Sequence, residues 1–156
     1  MTDLIFWRHA EAEDFSASGL DTERALTKRG AKDAAKMAKW LSKKLPADTK
    51  LLVSPALRCQ QTAAALHEMN NLAVTTLELL SVNSSPQQMM DGLAAYADSK
   101  VLLLVGHQPN LGILIAHYLA MPERAVSVKK GAVWWLRKGV AQDSAHYRIH
   151  AVMLPD

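Results

Sequence analysis

Short apolar runs alternate with segments of helical periodicity through most of this 156-residue chain, and no other feature of the sequence constrains the fold as strongly. Runs such as Leu4–Trp7 and Val101–Val105 have the length and unbroken hydrophobicity of strands that are buried on both faces. Strands that alternate with helices predict a parallel sheet covered by helices on both sides. We therefore expect an α/β fold, a three-layer α/β/α sandwich with a mostly parallel central sheet and an antiparallel edge strand.

The boundaries of these elements follow from capping signals and apolar periodicity. Thr27 is placed to cap the first helix, whereas Ser54-Pro55 and Ser85-Pro86 each combine a cap with a proline at the first helical position. The length suits one domain over residues 1–156. The predicted strands are Leu4–Trp7, Leu51–Val53, Ala73–Thr76, Val101–Val105, Ala132–Leu136 and Tyr147–Val152, the last two antiparallel; the predicted helices run from Lys28 to about Leu45, Pro55 to about Met69, Pro86 to about Tyr96 and Pro109 to about Leu119.

Composition and charge argue against several classes of protein. The formal net charge is +3 and the sequence pI is about 9.1, but Lys and Arg are scattered, so no nucleic-acid partner is expected. The single cysteine, Cys59, excludes an intramolecular disulfide and favours a reducing compartment. The longest apolar run is too short to span a bilayer, and the N-terminus is predicted to be a strand rather than a signal peptide. We expect a cytoplasmic protein without a membrane partner.

Basic side chains stand where the predicted strands end. The first strand ends in Arg8-His9, the second is followed by Ser54 and then Arg58, and the central strand is followed by His107. The carboxyl ends of parallel strands meet at one edge of a sheet, where such folds bind ligands, so we expect these side chains to form a cationic pocket without a carboxylate. Arginine pairs with phosphate in a bidentate manner, and a neutral imidazole can attack phosphorus. Taken singly, each residue has an ordinary surface or turn explanation, and the argument depends on their joint placement.

Four segments resemble those of the histidine phosphatase superfamily, which includes the phosphoglycerate mutases. Arg8–Ala10 is similar to the family's Arg-His-Gly triplet, with alanine in place of glycine. Arg24–Gly30 (Arg-Ala-Leu-Thr-Lys-Arg-Gly) resembles the Arg-Pro-Leu-Thr-x-x-Gly segment of its SixA-type phosphohistidine phosphatase branch. Ser54–Ala63 resembles Ser-x-x-x-Arg-x-x-x-Thr-Ala, and Val105–Pro109 resembles the segment of the second family histidine.

This resemblance implies a phosphatase with a histidine nucleophile and no cofactor. By similarity, His9 is the residue that becomes phosphorylated. Arg8, Arg58 and His107 form the phosphate pocket, and Arg24 is a further phosphate or substrate contact. Neither a metal nor an organic cofactor is expected, and the expected partner is a phosphorylated protein, such as a phosphotransfer domain, or a small phosphorylated substrate.

The substrate class depends on a general acid, because an ester's leaving oxygen needs a proton whereas a P–N bond breaks more easily. Relatives that hydrolyse small esters usually carry the acid after the third strand, where this chain offers only Glu78. Three hypotheses remain open: a protein phosphohistidine phosphatase, a small-molecule phosphomonoesterase that uses Glu78, and a non-catalytic module that binds phosphorylated partners.

Cys59 is predicted to be a helix thiol, because a cysteine phosphatase would need an arginine where Ala65 stands. His146 and His150 have no third metal ligand near them in sequence.

Overall fold

The computed structural model describes residues 3–122, 124–139 and 146–156. Within these residues six strands form one sheet in the order β3-β2-β4-β1-β5-β6. The strands are β1 (Asp3–Arg8), β2 (Lys50–Val53), β3 (Val74–Thr76), β4 (Val101–Gly106), β5 (Val133–Lys138) and β6 (Tyr147–Met153), and the helices are α1 (Lys28–Ser42), α2 (Leu57–Asn70), α3 (Pro86–Leu93) and α4 (Asn110–Tyr118).

The sheet combines four parallel strands with an antiparallel edge. Strands β3, β2, β4 and β1 are parallel, and β4 pairs with β1 in the register Arg8↔Gly106. On the other side β1 pairs antiparallel with β5, and β5 pairs antiparallel with β6. The predicted α/β fold is confirmed, and β5 and β6, which match the two strands predicted to be antiparallel, form its antiparallel edge. The parallel register brings the ends of β1, β2 and β4 level at one edge of the sheet.

Each central strand contributes to two hydrophobic cores, because successive side chains point to opposite faces of the sheet. Ile5 and Trp7 pack towards α1 and α2, whereas Leu4 and Phe6 belong to the core that contains α3 and α4. All six residues of β4 are buried. A strand buried on both faces must be apolar throughout, which is why these segments have continuous hydrophobic sequences.

The helix starts agree with the capping signals in two cases and differ in two. Thr27 Oγ1 accepts a hydrogen bond from Gly30 N at 3.0 Å, and Ser85 forms a capping box with Gln88. The helix predicted from Pro55 instead begins at Leu57, because the backbone of Ala56 is extended, with ψ 138°. The Ser54 hydroxyl accepts a hydrogen bond from Ala56 N at 3.3 Å and also lies 2.8 Å from Nε2 of His107. The helix predicted from Pro109 begins one residue later, at α4.

Across the part of the chain that the structure describes, no helix combines the length and the apolar character that crossing a membrane requires.

Candidate active site

A pocket of about 240 Å³ opens at the edge of the sheet where β1, β2 and β4 end. Backbone hydrogen bonds continue past the strands there, from His9 N to Gly106 O and from Ser54 N to Val105 O, both 3.1 Å long. This extension of the ladder fixes the residues that follow each strand. The side chains that line the pocket are Arg8, His9, Ala12, Asp14, Asp21, Arg24, Arg58, Val82, His107, Gln108 and Lys130.

The His9 ring is held in one tautomer by the backbone carbonyl of the next residue, Ala10. Its Nδ1 is 2.8 Å from the carbonyl oxygen of Ala10, and because a carbonyl can only accept a hydrogen bond, Nδ1 carries the proton. Nε2 therefore has the free lone pair. Burial, supported by the neighbouring His107, Arg58 and Arg8, lowers the pKa of His9 to about 3 and outweighs the hydrogen bond to Ala10. At neutral pH the ring is therefore uncharged, with a lone pair available on Nε2.

The second histidine, His107, is fixed by neighbours on both ring nitrogens. Arg58 Nη2 lies 3.3 Å from Nδ1, and since a guanidinium only donates, Nδ1 accepts. The other nitrogen, Nε2, then carries the proton and donates to Ser54 Oγ at 2.8 Å. Burial and the charge of Arg58 lower the pKa of His107 to about 4. The His9 and His107 ring centroids are 5.4 Å apart.

Two arginines, the half-buried Arg8 and the buried Arg58, each have an unpaired hydrogen-bond donor at this pocket. Arg8 Nη1 donates to the carbonyl of Val128 at 2.9 Å, and Arg58 is 2% exposed in the first turn of α2. Among the described residues, Arg8 Nε and Arg58 Nε are the buried side-chain nitrogens that have no acceptor in the protein. Buried donors are normally satisfied, and guanidinium groups pair well with anions, so two such arginines at one pocket favour an anionic ligand there.

Asp21 is a pocket residue that the sequence analysis missed, and it corrects the expectation of a site without carboxylates. Arg58 donates from Nη1 to the Asp21 backbone oxygen at 2.9 Å and from Nη2 to Oδ2 at 3.1 Å. Arg24 Nε donates to Oδ1 at 2.9 Å, and its Nη1 to the Glu13 carbonyl at 2.8 Å. Partial burial opposes ionisation of Asp21, but these two arginines outweigh it and hold the pKa of the carboxyl below its usual value.

The alanine of the first segment fits its position without strain. Ala10 is fully buried and is not among the described residues with a positive φ, so the site does not need the conformational freedom of glycine. Its amide donates to Thr62 Oγ1 at 3.1 Å, and that hydroxyl donates to the Arg58 carbonyl at 2.7 Å. Thr62 thus connects the segment that holds His9 to the helix that holds Arg58.

The structure brings together five of the six predicted site residues: Arg8, His9, Arg24, Arg58 and His107. Glu78 is exposed in a 3-10 turn, Glu78–Leu80, and within the described residues it is not one of the side chains that line the pocket. Sequence reasoning also missed Asp14, Val82, Gln108 and Lys130. Asp14, Val82 and Lys130 lie in loops where neither periodicity nor a motif distinguishes them, whereas Gln108 lies within the Val105–Pro109 segment, which was matched only for its histidine.

The cysteine and the histidine that were considered for other chemistry are packed against neighbouring side chains. Cys59 is fully buried, and burial raises the pKa of its thiol to about 12, which supports a packed thiol rather than a nucleophile. His150 packs edge-on against Trp135, with ring centroids 5.4 Å apart. Over residues 3–122, 124–139 and 146–156, no three His, Cys, Asp or Glu side chains cluster in a way that could hold a metal ion.

Comparisons with known proteins point to one protein family. Residues 4–81 match the family model of the histidine phosphatase superfamily, branch 1. The phosphohistidine phosphatase SixA of Escherichia coli (strain K12) is 30% identical over 119 residues, which cover 72% of this chain and 71% of that protein.

Solved structures share the whole fold. A structure of the protein histidine phosphatase SixA in complex with tungstate superposes with a TM-score of 0.82 at 25% identity and covers 98% of this chain and 97% of that one. A mycobacterial glucosyl-3-phosphoglycerate phosphatase shares the fold alone, with a TM-score of 0.71, 16% identity and coverage of 96% and 97%. The motifs, the fold and these matches together show that the chain belongs to the histidine phosphatase superfamily, in its SixA-type branch.

Proposed function

We propose that this chain removes phosphate from phosphohistidine on a partner protein, through a phosphohistidine intermediate at His9. The observation that carries the proposal is the combination of the free Nε2 of a neutral His9 with unused guanidinium donors on Arg8 and Arg58. The histidine and the two positively charged side chains line one pocket, in which a phosphoryl group would bind. Superfamily membership supports phosphatase activity, and the substrate class is the part that we infer.

In the first step His9 Nε2 attacks phosphorus, and the P–N bond of the substrate breaks. The substrate imidazole leaves as a neutral ring if its other nitrogen carries a proton. The phosphorylated His9 ring keeps the proton on Nδ1, where the Ala10 carbonyl stabilises the resulting positive charge. Arg8 and Arg58 balance the charge on the phosphoryl oxygens as the group passes through a loose transition state.

In the second step water attacks phosphorus, and the P–N bond to His9 breaks. Nε2 regains its lone pair, the ring returns to its neutral form with the proton still on Nδ1, and the proton lost by water leaves with phosphate or solvent. Neither step requires the enzyme to protonate a leaving group. A substrate with a P–N bond therefore suits a pocket in which Asp21 is ionised between two arginines and Glu78 lies elsewhere.

Hydrolysis of small phosphate esters is the second candidate function. It is favoured by Asp14, an exposed carboxyl at the pocket that is not hydrogen-bonded to the pocket arginines and could protonate a leaving oxygen. The substitutions Asp14→Asn and Glu78→Gln test it, because loss of ester hydrolysis in either variant would identify the acid. A cytoplasmic location belongs to the proposal as well and rests on the sequence argument from Cys59.

The test is a time course with a phosphotransfer domain phosphorylated on histidine, run beside p-nitrophenyl phosphate. Free phosphate and alkali-stable label on the enzyme are measured in each sample. We expect fast release from the domain, weak ester cleavage and label that disappears in His9→Ala. The matched control is His117→Ala, an exposed histidine on α4. Fast ester cleavage with an unreacted domain would favour the second function, and activity on neither would favour a binding module.

A further inference from the structure

The loop between β1 and α1 exposes the two most accessible large apolar side chains of the described residues. Phe15 is 87% exposed and Leu20 is 56% exposed. Both line a depression of about 260 Å³ that shares Asp14, Asp21 and Arg24 with the phosphate pocket. An exposed aromatic ring with no intramolecular packing role therefore lies directly beside the site of chemistry. Exposed apolar groups of this kind are characteristic of contact surfaces for other proteins.

The loop is ordered by its own hydrogen bonds. At its base Glu13 N donates to the Ala25 carbonyl at 2.8 Å, next to a bridge between Ala12 and Leu26. At its tip Ser16 Oγ donates to the Leu20 carbonyl at 2.7 Å. A loop that is already ordered loses little conformational entropy when a partner binds, so it can present an apolar anchor efficiently.

One further depression and one more residue of the pocket extend the apolar surface. Leu57, at the start of α2, lines a depression that also includes Ser16 of the loop. Val82 lines the phosphate pocket itself. Leu57 and Val82 are 36% and 40% exposed. The apolar groups thus lie around the pocket on several elements, as a protein surface would require, whereas a small polar substrate would gain little from them.

The charge of the loop indicates the chemistry of the partner. Residues 11–24 contain five acidic residues and one basic residue, Arg24, which is paired with Asp21. An acidic rim repels a free phosphorylated metabolite, because both carry negative charge. A protein that carries Lys or Arg beside its phosphohistidine would gain from the same rim. The rim therefore favours a protein substrate with basic side chains near the phosphoryl group.

We propose that the Phe15 loop, defined as residues 14–23, is the docking surface for a partner protein whose phosphohistidine is flanked by apolar and basic side chains. This inference rests on the proposed function and adds the surface that selects the substrate. Phe15 and Leu20 contact the apolar part of the partner, and the acidic residues of the loop contact its basic part. Arg58 and His9 then receive the phosphoryl group.

The experiment compares kcat/KM on two substrates that share a P–N bond: a phosphotransfer domain phosphorylated on histidine, and phosphoramidate. We expect Phe15→Ser to lower kcat/KM for the domain about tenfold and to change that for phosphoramidate less than twofold. Ile149→Ser is the matched control, since Ile149 is 51% exposed on β6 and in register with Leu136 and Leu4, far from the strand ends that form the pocket. Glu23→Lys provides an independent charge test, with a loss of about threefold on the domain that diminishes with added salt.

The possible results distinguish a failure of the docking surface from a failure of the proposed function. A selective loss in Phe15→Ser but not in Ile149→Ser supports the docking surface. A wild-type enzyme that acts on the domain, with Phe15→Ser and Leu20→Ser both unchanged, overturns the docking surface and leaves the proposed function standing. Equal losses on the two substrates show a structural role for the loop and overturn the inference. Activity on phosphoramidate but not on the domain overturns both the inference and the proposed function.

Discussion

The two sides of the pocket are built in different ways. On the strand side His9, Arg58 and His107 are almost fully buried and are held by the sheet ladder and the start of α2. On the loop side the Asp21 side chain is 54% exposed and is held by hydrogen bonds to arginines. The comparison suggests a division of labour in which the rigid side carries the chemistry and the exposed side controls access to it. Four predictions test this division, in decreasing order of effect.

The largest effect is expected at the nucleophile. His9→Ala should lower turnover of the phosphotransfer domain about a thousandfold or more, because no other described side chain in the pocket is placed to form the phosphorylated intermediate. The variant should remain folded, as judged by circular dichroism and thermal unfolding. Substantial residual turnover in a folded His9→Ala protein would remove the chemical role from the strand side.

Arg58 tests the charge that the strand side supplies to the transition state. Arg58→Ala should lower kcat/KM about a hundredfold, in the range measured when one preorganised donor is removed from an active site. The matched control is Arg148→Ala, an exposed arginine on β6. Similar kinetics for the two variants would show that the buried guanidinium does not bind the phosphoryl group.

Acidic pH should lower the free energy of unfolding through the two buried histidines of the strand side. The pKa values of His9 and His107 are lowered to about 3 and about 4, so between these values and pH 6.5 the unfolded chain binds more protons than the folded protein. Stability is therefore present above pH 6.5 and falls as the pH decreases. We expect a loss of about 1.5 kcal/mol per histidine in the free energy of unfolding between pH 6.5 and 5.

Urea denaturation at several pH values measures this loss, and His9→Gln should remove about half of it. A stability profile in His9→Gln that is identical to that of the wild type would contradict a buried, neutral His9.

The smallest effect is expected on the loop side. Asp21→Asn removes a negative charge that competes with phosphate for Arg58, so inorganic phosphate should inhibit the variant about threefold more strongly. Asp48→Asn, an exposed carboxyl near the start of β2, is the control. Weaker inhibition by phosphate would instead show that Asp21 positions Arg58 and is not a competitor, which would make the loop part of the chemical machinery.

Local sequence signals predicted a helix or strand correctly where the signal was compatible with only one structure. The apolar run Val101–Val105 could only be a buried strand, and Thr27 had a free helix start to cap. The start of α2 was misplaced because the Ser54-Pro55 signal does not specify the backbone of Ala56, which is extended and moves the helix start to Leu57. The strand-end residues of the site could be anticipated because a parallel sheet brings its carboxyl ends together whatever the details of packing.

By itself, the sequence determined the order of strands and helices, the cationic residues at the strand ends and the family to which the chain is similar. These depend on periodicity and on residues adjacent to their elements, which are local properties. The three-dimensional structure was needed to show that Asp21 enters the pocket, that Glu78 lies outside it and that Phe15 is exposed beside it. Asp21 and Arg58 are 37 positions apart and the first lies in a polar loop, so their contact depends on how that loop folds over α2. No sequence periodicity predicts such a contact, because it is formed by hydrogen bonds between groups that are distant in sequence and that water would solvate equally well.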